Sequence, residues 1–392
     1  MRIGFLYPCK DIGGAQLLFA RLAKYISEIY LDVELFYIDY LEGYSANWLK
    51  KKKVRVVHLP YFENKRLELP ADLVIILPFD LFSLKICLKN LTFSNTKFIF
   101  WFIEPNLLLA VFHATRITQY LNINITKFLL NYLFFHRYKK IKKLLWQSND
   151  NKSLLFMDGE NLKIPQTLFP FLKISPMMLP IPIDLVANFK KPFSEPNQVL
   201  NVAWLGRISK EKIGSILTVL EDLSYISNEY PKKIHFHVIG NGEAMPILKK
   251  ACGNLTIGFT LHGILEGIHL FQLLCQKIDL MFAMGTSALE GASLSIPTVL
   301  LDLIPRRKKT PYLYKWIFET ENFTLGQNNQ THLNQYSIHQ ILSMIETQEK
   351  WEHIANLSFN YAKNHDIKNI ACQVVDICSN CNNRLDQNAF PR

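Results

Sequence analysis

Several common features are missing from this chain, and each absence closes off a class of protein. No stretch reaches the roughly 20 apolar residues that a spanning helix requires; the apolar run Phe128 to Phe135 is eight residues long and contains Asn131 and Tyr132. The opening MRIGFLYPCKD has Pro8, Lys10 and Asp11 where the apolar core of a signal peptide would have to continue. Cysteine is sparse, and its seven positions, 9, 87, 252, 275, 372, 378 and 381, do not form the even framework of a small secreted domain. Cys378-x-x-Cys381 lacks the second Cys or His pair of a finger-like zinc site, and no Asp-x-Asp ligand motif is present. The Asn-x-Ser/Thr triplets at Asn90, Asn254 and Asn329 reflect an Asn-rich composition. There is no short-period repeat or low-complexity tract. The expectation is a cytoplasmic protein with reduced thiols, no bound metal and no other cofactor.

What is there points to a large globular protein. A chain of 392 residues exceeds what one core usually organises, so two domains are expected. The balance of 44 basic against 33 acidic residues gives a net charge of +11, which favours anionic partners. The basic residues cluster at Lys50 to Arg55, Arg137 to Lys143 and Arg306 to Lys309. The middle cluster, within RYKKIKKLLW, follows the aromatic-rich run and suits peripheral association with the anionic inner face of a membrane. Phosphates of a nucleic acid would also accept it, but no nucleic-acid-binding fold is recognisable, so none is expected as a partner.

The apolar periodicity starts with a strand at Arg2 to Tyr7, a loop at Pro8 to Gly14 and a helix from about Gln16 to Ile26. Strand-like runs follow at Val33 to Tyr37, Arg55 to Leu59, Leu73 to Leu77 and Phe98 to Ile103. Alternation of strands with helical stretches predicts a parallel sheet flanked by helices. From Pro176 to Pro196 five prolines break any period and mark an extended linker. The rhythm then restarts with strands at Val199 to Leu205, Ile234 to Ile239, Thr256 to Leu261, Leu280 to Ala283 and Thr298 to Leu301. Helices are expected at Lys212 to Leu223, Glu243 to Ala251, Gly267 to Gln276, Ser287 to Leu294 and over His332 to His365. This gives an N-terminal domain over 1–180, a linker over 181–197, a C-terminal domain over 198–365, and a tail over 366–392 whose last dozen residues look frayed.

Two features suit a diphosphate, both at the carboxyl ends of predicted parallel strands, where such sheets bind ligands. Gly206-Arg207 ends one strand and Lys212 begins the next helix, so two cations can converge on one anion. A solvated loop explains the same residues equally well. Met284-Gly285-Thr286-Ser287 runs into the helix carrying Glu290 and places free backbone N–H groups and the helix dipole at a strand end. Gly285 serves equally as a tight turn and Ser287 as an N-cap. Glu290 lies one turn inside, where acidic side chains accept ribose hydroxyls. Of the histidines, His113, His136, His235 and His237, the last two alternate along one strand and project to one face, and surface or packing roles fit all four.

These pieces resemble the family 4, or group 1, glycosyltransferases of the bacterial surface-polysaccharide kind. WLGRISKEK is similar to the family's Gly-Arg-x4-Lys signature, VIGNGEA with Gly240 and Gly242 looks like its glycine-rich turn, and FAMGTSALEGASLSIPTVLLD looks like its donor-binding segment, with Gly285, Glu290 and Pro297 at the expected spacing. Gly13-Gly14 resembles the family's glycine pair in the first βα loop. The motifs are concentrated between residues 199 and 302, while the architecture fits the whole chain. MDGEN, at 157–161, and KWIFETENFTLG, at 315–326, look like segments of relatives that assemble surface polysaccharides.

The resemblance implies a GT-B fold, α/β in class, in which two Rossmann-like domains with parallel sheets face each other across a cleft. It implies a nucleotide-diphosphate sugar as co-substrate, held by Gly13, Gly14, Gly206, Arg207, Lys212, Gly240, Gly242, Gly285, Thr286, Ser287 and Glu290. Arg207 and Lys212 would stabilise the leaving diphosphate without a metal. The acceptor would be a lipid-linked or oligosaccharide glycan, and configuration would be retained. The chain departs from the family twice. Position 282, where the Glu-x7-Glu pattern wants a carboxylate, holds Phe282, and Glu104 stands before Pro105 where relatives often carry histidine, which makes Glu104 a third candidate for the chemistry. Phe282 motivates an alternative, a catalytically silent relative serving as a binding or scaffold subunit. A sugar-nucleotide epimerase on the same double fold is a third reading.

Overall fold

The computed structural model describes residues 1–10, 14–105, 107–108, 128, 132–133, 135–185, 199–253, 255–304, 312–327, 332–385 and 389–390. Gly13, His113, Asn254, Asn329, the cluster Arg306 to Lys309 and linker residues 186–198 lie outside them. The chain divides into two units, Met1–Pro182 with Ile367–Arg392, and Ile183–Asp366.

The first unit runs β1 (Arg2–Leu6), α1 (Gly14–Ile29), β2 (Glu34–Tyr40), α2 (Tyr44–Lys51), β3 (Val57–Tyr61), β4 (Leu67–Glu68), β5 (Leu73–Pro78), α3 (Leu81–Lys89), β6 (Leu91–Thr92), β7 (Lys97–Phe102), α4 (Phe135–Asp150), β8 (Leu154–Phe156), α5 (Gly159–Leu168) and β9 (Met177–Met178). Seven strands form one parallel sheet in the order β3-β2-β1-β5-β7-β8-β9, and β4 pairs with β6. Its central strands read as unbroken apolar runs, LVIILP and KFIFWF, because both faces are covered. Ile75, Leu77, Phe98 and Phe100 face one core. Val74, Ile76, Ile99 and Trp101 face the other, against the α1 stripe Leu18, Phe19, Leu22 and Ile26.

The second unit runs β10 (Val199–Leu205), α6 (Ile213–Ile226), β11 (Lys233–Ile239), α7 (Met245–Cys252), β12 (Gly258–Gly263), α8 (Gly267–Lys277), β13 (Leu280–Ala283), α9 (Thr286–Ser293), β14 (Thr298–Leu300), β15 (Lys315–Trp316), α10 (Ile338–Ser343) and α11 (Gln348–Lys363). Its sheet order, β12-β11-β10-β13-β14-β15, is parallel except for β15. Both units are thus doubly wound, with the strand order reversing beside their first strand. The helix expected over His332 to His365 is two helices. Ser337 caps α10 through a capping box with Gln340, and Thr347 caps α11 by accepting from the Lys350 N–H, so the chain restarts rather than continues.

The segment expected as a tail is instead part of the first unit. Helix α12 (Ile367–Asn380) buries Ile367, Ile370, Ala371, Val374 and Cys378, a helical stripe, in the core that contains α1. Beyond it the Asn383 carbonyl accepts from the Phe98 N–H at 2.9 Å, and the Phe390 ring meets Phe98 at 5.6 Å. Among the described residues no helix is long and apolar enough to cross a membrane.

Candidate functional site

In the second unit the strand order reverses between β10 and β13, and the chain leaving each carries a predicted site motif. After β10 the backbone turns at Gly206, whose φ of 144° disfavours any side chain. A Cβ placed there would lie 3.6 Å from the Ser287 hydroxyl, so the Gly206-Arg207 loop and the start of α9 are neighbours. After β13 the connection is only Met284 and Gly285. Gly285 has a φ of 63° and donates its N–H to the Leu325 carbonyl at 2.8 Å, with open space on the side where a Cβ would be. It is Gly285, not Ser287, that occupies the N-cap of α9, and no side chain caps the helix. The first-turn N–H groups and the positive helix end are therefore presented beside exposed Thr286 and half-buried Ser287.

The cations sit at the same strand end. Arg207 is exposed, and Lys212 is half-buried at the N-cap of α6. Burial pulls the Lys212 ammonium below its usual range, the nearby Arg207 charge pulls it further, and Glu211 opposes the shift. Two like charges held this close favour an anion that touches both. Glu243 is held low first by the Lys210 N–H, which donates to its Oε1 at 3.0 Å, and more weakly by the Arg207 charge. Glu290 is exposed on α9, and the next residue, Gly291, is where that helix meets the sheet, since a Cβ there would run into the Met281 sulfur.

Gly240 and Gly242 have a structural reason of their own. A Cβ on either would run into the carbonyl oxygens of Gly206 and Ile208. The two loops are tied together by Ile208 N–H to Asn241 O and Ala244 N–H to Ile208 O, each 3.0 Å. The glycines thus let the β11–α7 loop brace the loop that carries Arg207.

Phe282 has a plain explanation. It lies inside β13, fully buried, its ring 5.6 Å from that of Tyr314, so a carboxylate at this position would sit in the core rather than at the strand end. The strand enters α9 without a longer loop that could carry one. Sequence reasoning missed what lies beside this segment. Asp302, just past β14, forms a buried ion pair with Lys315 of β15, at 2.9 Å and with side chains 0% and 1% exposed. Asp302 also accepts from the Gln327 N–H and from Asn334, and its carbonyl accepts from Ser215. The KWIFETENFTLG segment is thus tied to β14 by the β15 pairing and by the Lys315–Asp302 pair, and a lysine among YLYKWIF was the available signal. MDGEN is likewise a capped turn, with Asp158 accepting from the Asn161 N–H at 2.8 Å to start α5.

In the first unit the corresponding reversal lies between β1 and β5, and it has the opposite character. Gly14 opens α1. Tyr7, Asp80 and Glu104 follow β1, β5 and β7. Asp80 caps α3, accepting from the Ser83 N–H at 2.7 Å and hydroxyl at 3.0 Å. Burial raises its carboxyl to about 6, and Glu104 adds to the rise. The Tyr7 phenol is raised by burial, then by Asp80 and Glu104, which places the three within electrostatic reach. Glu104 itself is exposed. Asp80 and Tyr7 were not among the sequence candidates.

His235 and His237 do share a face. His237 Nδ1 lies 2.9 Å from His262 Nε2 and its Nε2 3.1 Å from Asn201 Oδ1, while His235 Nε2 lies 2.8 Å from Thr260 Oγ1. They join β10, β11 and β12 side by side, away from the Gly206 and Gly285 loops.

No protein-family model matches the sequence, and no curated protein matches it. Solved structures do match over nearly its whole length. HepE from Anabaena in complex with UDP aligns with a TM-score of 0.60 at 13% identity, covering 97% of this chain and 100% of that one. A glycosyltransferase from Rickettsia africae gives 0.59 at 13% identity, over 96% and 97% of the two chains. The lipopolysaccharide outer core galactosyltransferase WaaB, in its apo form, gives 0.51 at 13% identity, over 96% and 100%. The chain therefore has the two-unit fold of group 1 glycosyltransferases, GT-B.

Proposed function

We propose that the protein is a glycosyltransferase that moves a sugar, of hexose type, from a nucleotide-diphosphate donor to a lipid-linked or growing surface glycan of the lipopolysaccharide, O-antigen or capsule kind. The observation that carries this reading is the convergence of Arg207, Lys212 and the uncapped start of α9 at the β10/β13 reversal, where a Cβ on Gly206 would lie 3.6 Å from the Ser287 hydroxyl. Arg207 and Lys212 would take the two phosphates and neutralise the charge that grows on the leaving group, where fixed donors act most strongly. Glu290 would accept the ribose hydroxyls. Gly13 and Gly14 would let the donor approach the first βα loop closely, and Glu104 would meet the sugar or the acceptor.

The likeness to structures solved with UDP supports a nucleotide sugar, and the likeness to WaaB supports a surface-glycan acceptor. The reaction on this reading retains configuration and uses no metal, because the cations at the donor site do the work of one. The same reading keeps the protein in the cytoplasm, at the inner face of a membrane. The silent-scaffold alternative rests on Phe282, which is buried in β13 where the family pattern wants a carboxylate; turnover of a nucleotide sugar by the purified chain would remove it.

The test is thermal stability of the purified chain with UDP, GDP, CMP and ADP, in wild type and Arg207→Ala, because a ligand that binds only the native state raises its midpoint by mass action. A rise with one nucleotide that disappears in the variant is expected. No rise with any of them would sink the donor site, and turnover without acceptor would favour the epimerase.

A further inference from the structure

We propose that the outward face of α4 is a docking surface for an anionic lipid bilayer. One side of this helix is firmly attached to its unit. Tyr138, Ile141, Leu144, Leu145 and Ser148 are buried, the Tyr138 hydroxyl donates to the Leu168 carbonyl at 2.9 Å, and its ring stacks on Phe169 at 4.8 Å. The opposite side is presented to solvent in a fixed orientation. There Phe135, Lys139, Lys142 and Trp146 follow one another at spacings of four, three and four residues, which places them on a single stripe with Lys143 alongside. The stripe is about 16 Å long from its first aromatic to its last.

Its content is unusual for a surface that meets only water. Phe135 is 52% and Trp146 57% exposed, and just before the helix Phe128, Tyr132 and Leu133 are more exposed still. The Phe128 and Tyr132 rings stack in parallel, 6.3 Å apart. Three exposed cations, Lys139, Lys142 and Lys143, lie among these apolar groups, Arg137 and Lys140 are half-buried to the side, and the only acid of the helix is its last residue, Asp150. Aromatic rings at both ends of a lysine row match a lipid surface, where the rings settle at the headgroup boundary and the ammonium groups meet phosphates. A protein partner fits less well, because lysine is depleted from the cores of protein interfaces. A nucleic acid would satisfy the lysines but offers no apolar phase for Leu133 and Phe135.

The inference deepens the proposed function, on whose lipid-linked acceptor it rests, by naming the face that meets the membrane. It is tested by sedimentation of the full chain with vesicles of phosphatidylcholine alone and with about one third phosphatidylglycerol. Binding to the anionic vesicles only is expected, weakening as salt rises. The triple variant Lys139→Gln, Lys142→Gln, Lys143→Gln should lower the partition coefficient about 100-fold, and Phe135→Ser with Trp146→Ser should lower it by roughly tenfold or more while the lysines remain. Both sets lie on an exposed face, so an unchanged thermal midpoint checks that each variant is folded. Equal binding of wild type and variants, no binding of wild type, or tighter binding to a single-stranded oligonucleotide than to vesicles would overturn the proposal. Vesicle binding lost with an intact UDP response removes the docking face alone; a missing UDP response with intact vesicle binding removes the donor site alone.

Discussion

The two units share a strand order but differ in what stands at the point where it reverses. Beside β10 and β13 the side chains are cationic, Arg207 and Lys212, and a helix start adds its dipole. Beside β1 and β5 they are acidic and phenolic, Asp80, Glu104 and Tyr7, and burial of Asp80 keeps its carboxyl up at about 6. Topology fixes where a ligand can sit in each unit, and the loop residues decide its charge. The second unit suits a diphosphate. In the first unit the carboxyls of Asp80 and Glu104 stand at that place instead.

The comparison can be broken at its strongest contrast. Lys315 and Asp302 form a fully buried pair in the second unit, whereas in the first unit the pair of Arg2 with Glu34 is exposed. Removing one partner leaves the other charged and unpaired. Lys315→Ala is expected to destabilise the second unit by about 4 kcal/mol. Hydrogen exchange resolved by unit would show it, with protection lost in β14 and β15 and kept in β5 and β7. Loss spread equally over both units would mean they do not unfold separately.

The cations at the reversal come next. If each supplies a charge-assisted contact worth roughly 2 kcal/mol to the leaving group, Arg207→Ala with Lys212→Ala should cut kcat/KM with a nucleotide sugar by about 10²- to 10³-fold. Arg207 is exposed and Lys212 half-buried and close to that second cation, so the thermal midpoint without ligand should move little. Retained turnover would show that the diphosphate sits elsewhere.

How far the sequence foretold this differs in the same way between near and distant contacts. Strands β10 and β13 fall at the residues expected, Val199–Leu205 and Leu280–Ala283, because an apolar run ending in glycine signals both the strand and its stop. The Gly206-Arg207 and Gly285 motifs were legible because each lies within a few residues of such an end. The meaning of Gly240 and Gly242 was not, since what they avoid is the carbonyl of another loop, more than 30 residues away in sequence. Helix α12 shows the same limit. Its stripe of Ile367, Ile370, Ala371, Val374 and Cys378 has a helical period, yet nothing local says that it returns to the first unit. Asp80 was hidden by its ordinary role as an N-cap, and Lys315 by a partner that lies across β14 and β15.

Acid sharpens the contrast between the units, because their titrating groups respond with opposite sign. Asp80 has a folded-state carboxyl raised above its ordinary value, so its protonated form favours the fold. That contribution is full below about pH 4 and is lost as pH rises through about 6. Asp80→Asn keeps a capping side chain and removes the charge, so at pH 7.5 it should stabilise the first unit by about 2 kcal/mol, and near pH 4 it should do nothing. Denaturant unfolding at the two pH values measures this. A variant equally or less stable at pH 7.5 would mean that the Ser83 hydrogen bonds outweigh burial.

The smallest effect runs the other way. Burial first, then the neighbouring His235 and His262 and the Lys277 ammonium, lower the His237 imidazole to about 4. A group depressed in the fold contributes stability that is present above its unfolded value near 6.5 and is lost as pH falls towards about 4. Asn201, which Asp279 holds in place, meets His237 on one side and His262 meets it on the other, so a proton entering there must displace one of them. Below pH 6.5 the second unit should weaken by less than about 1.4 kcal/mol per pH unit, since water reaches part of the cluster and screens it. The first unit should hold or gain over the same range through Asp80. Exchange rates followed by unit from pH 7 to 5 would therefore separate the two sheets, with β11 and β12 opening more readily and β5 and β7 no more readily. His237→Gln should flatten the response of β11 and β12 alone, and an unchanged slope in that variant would assign the acid sensitivity to some other group.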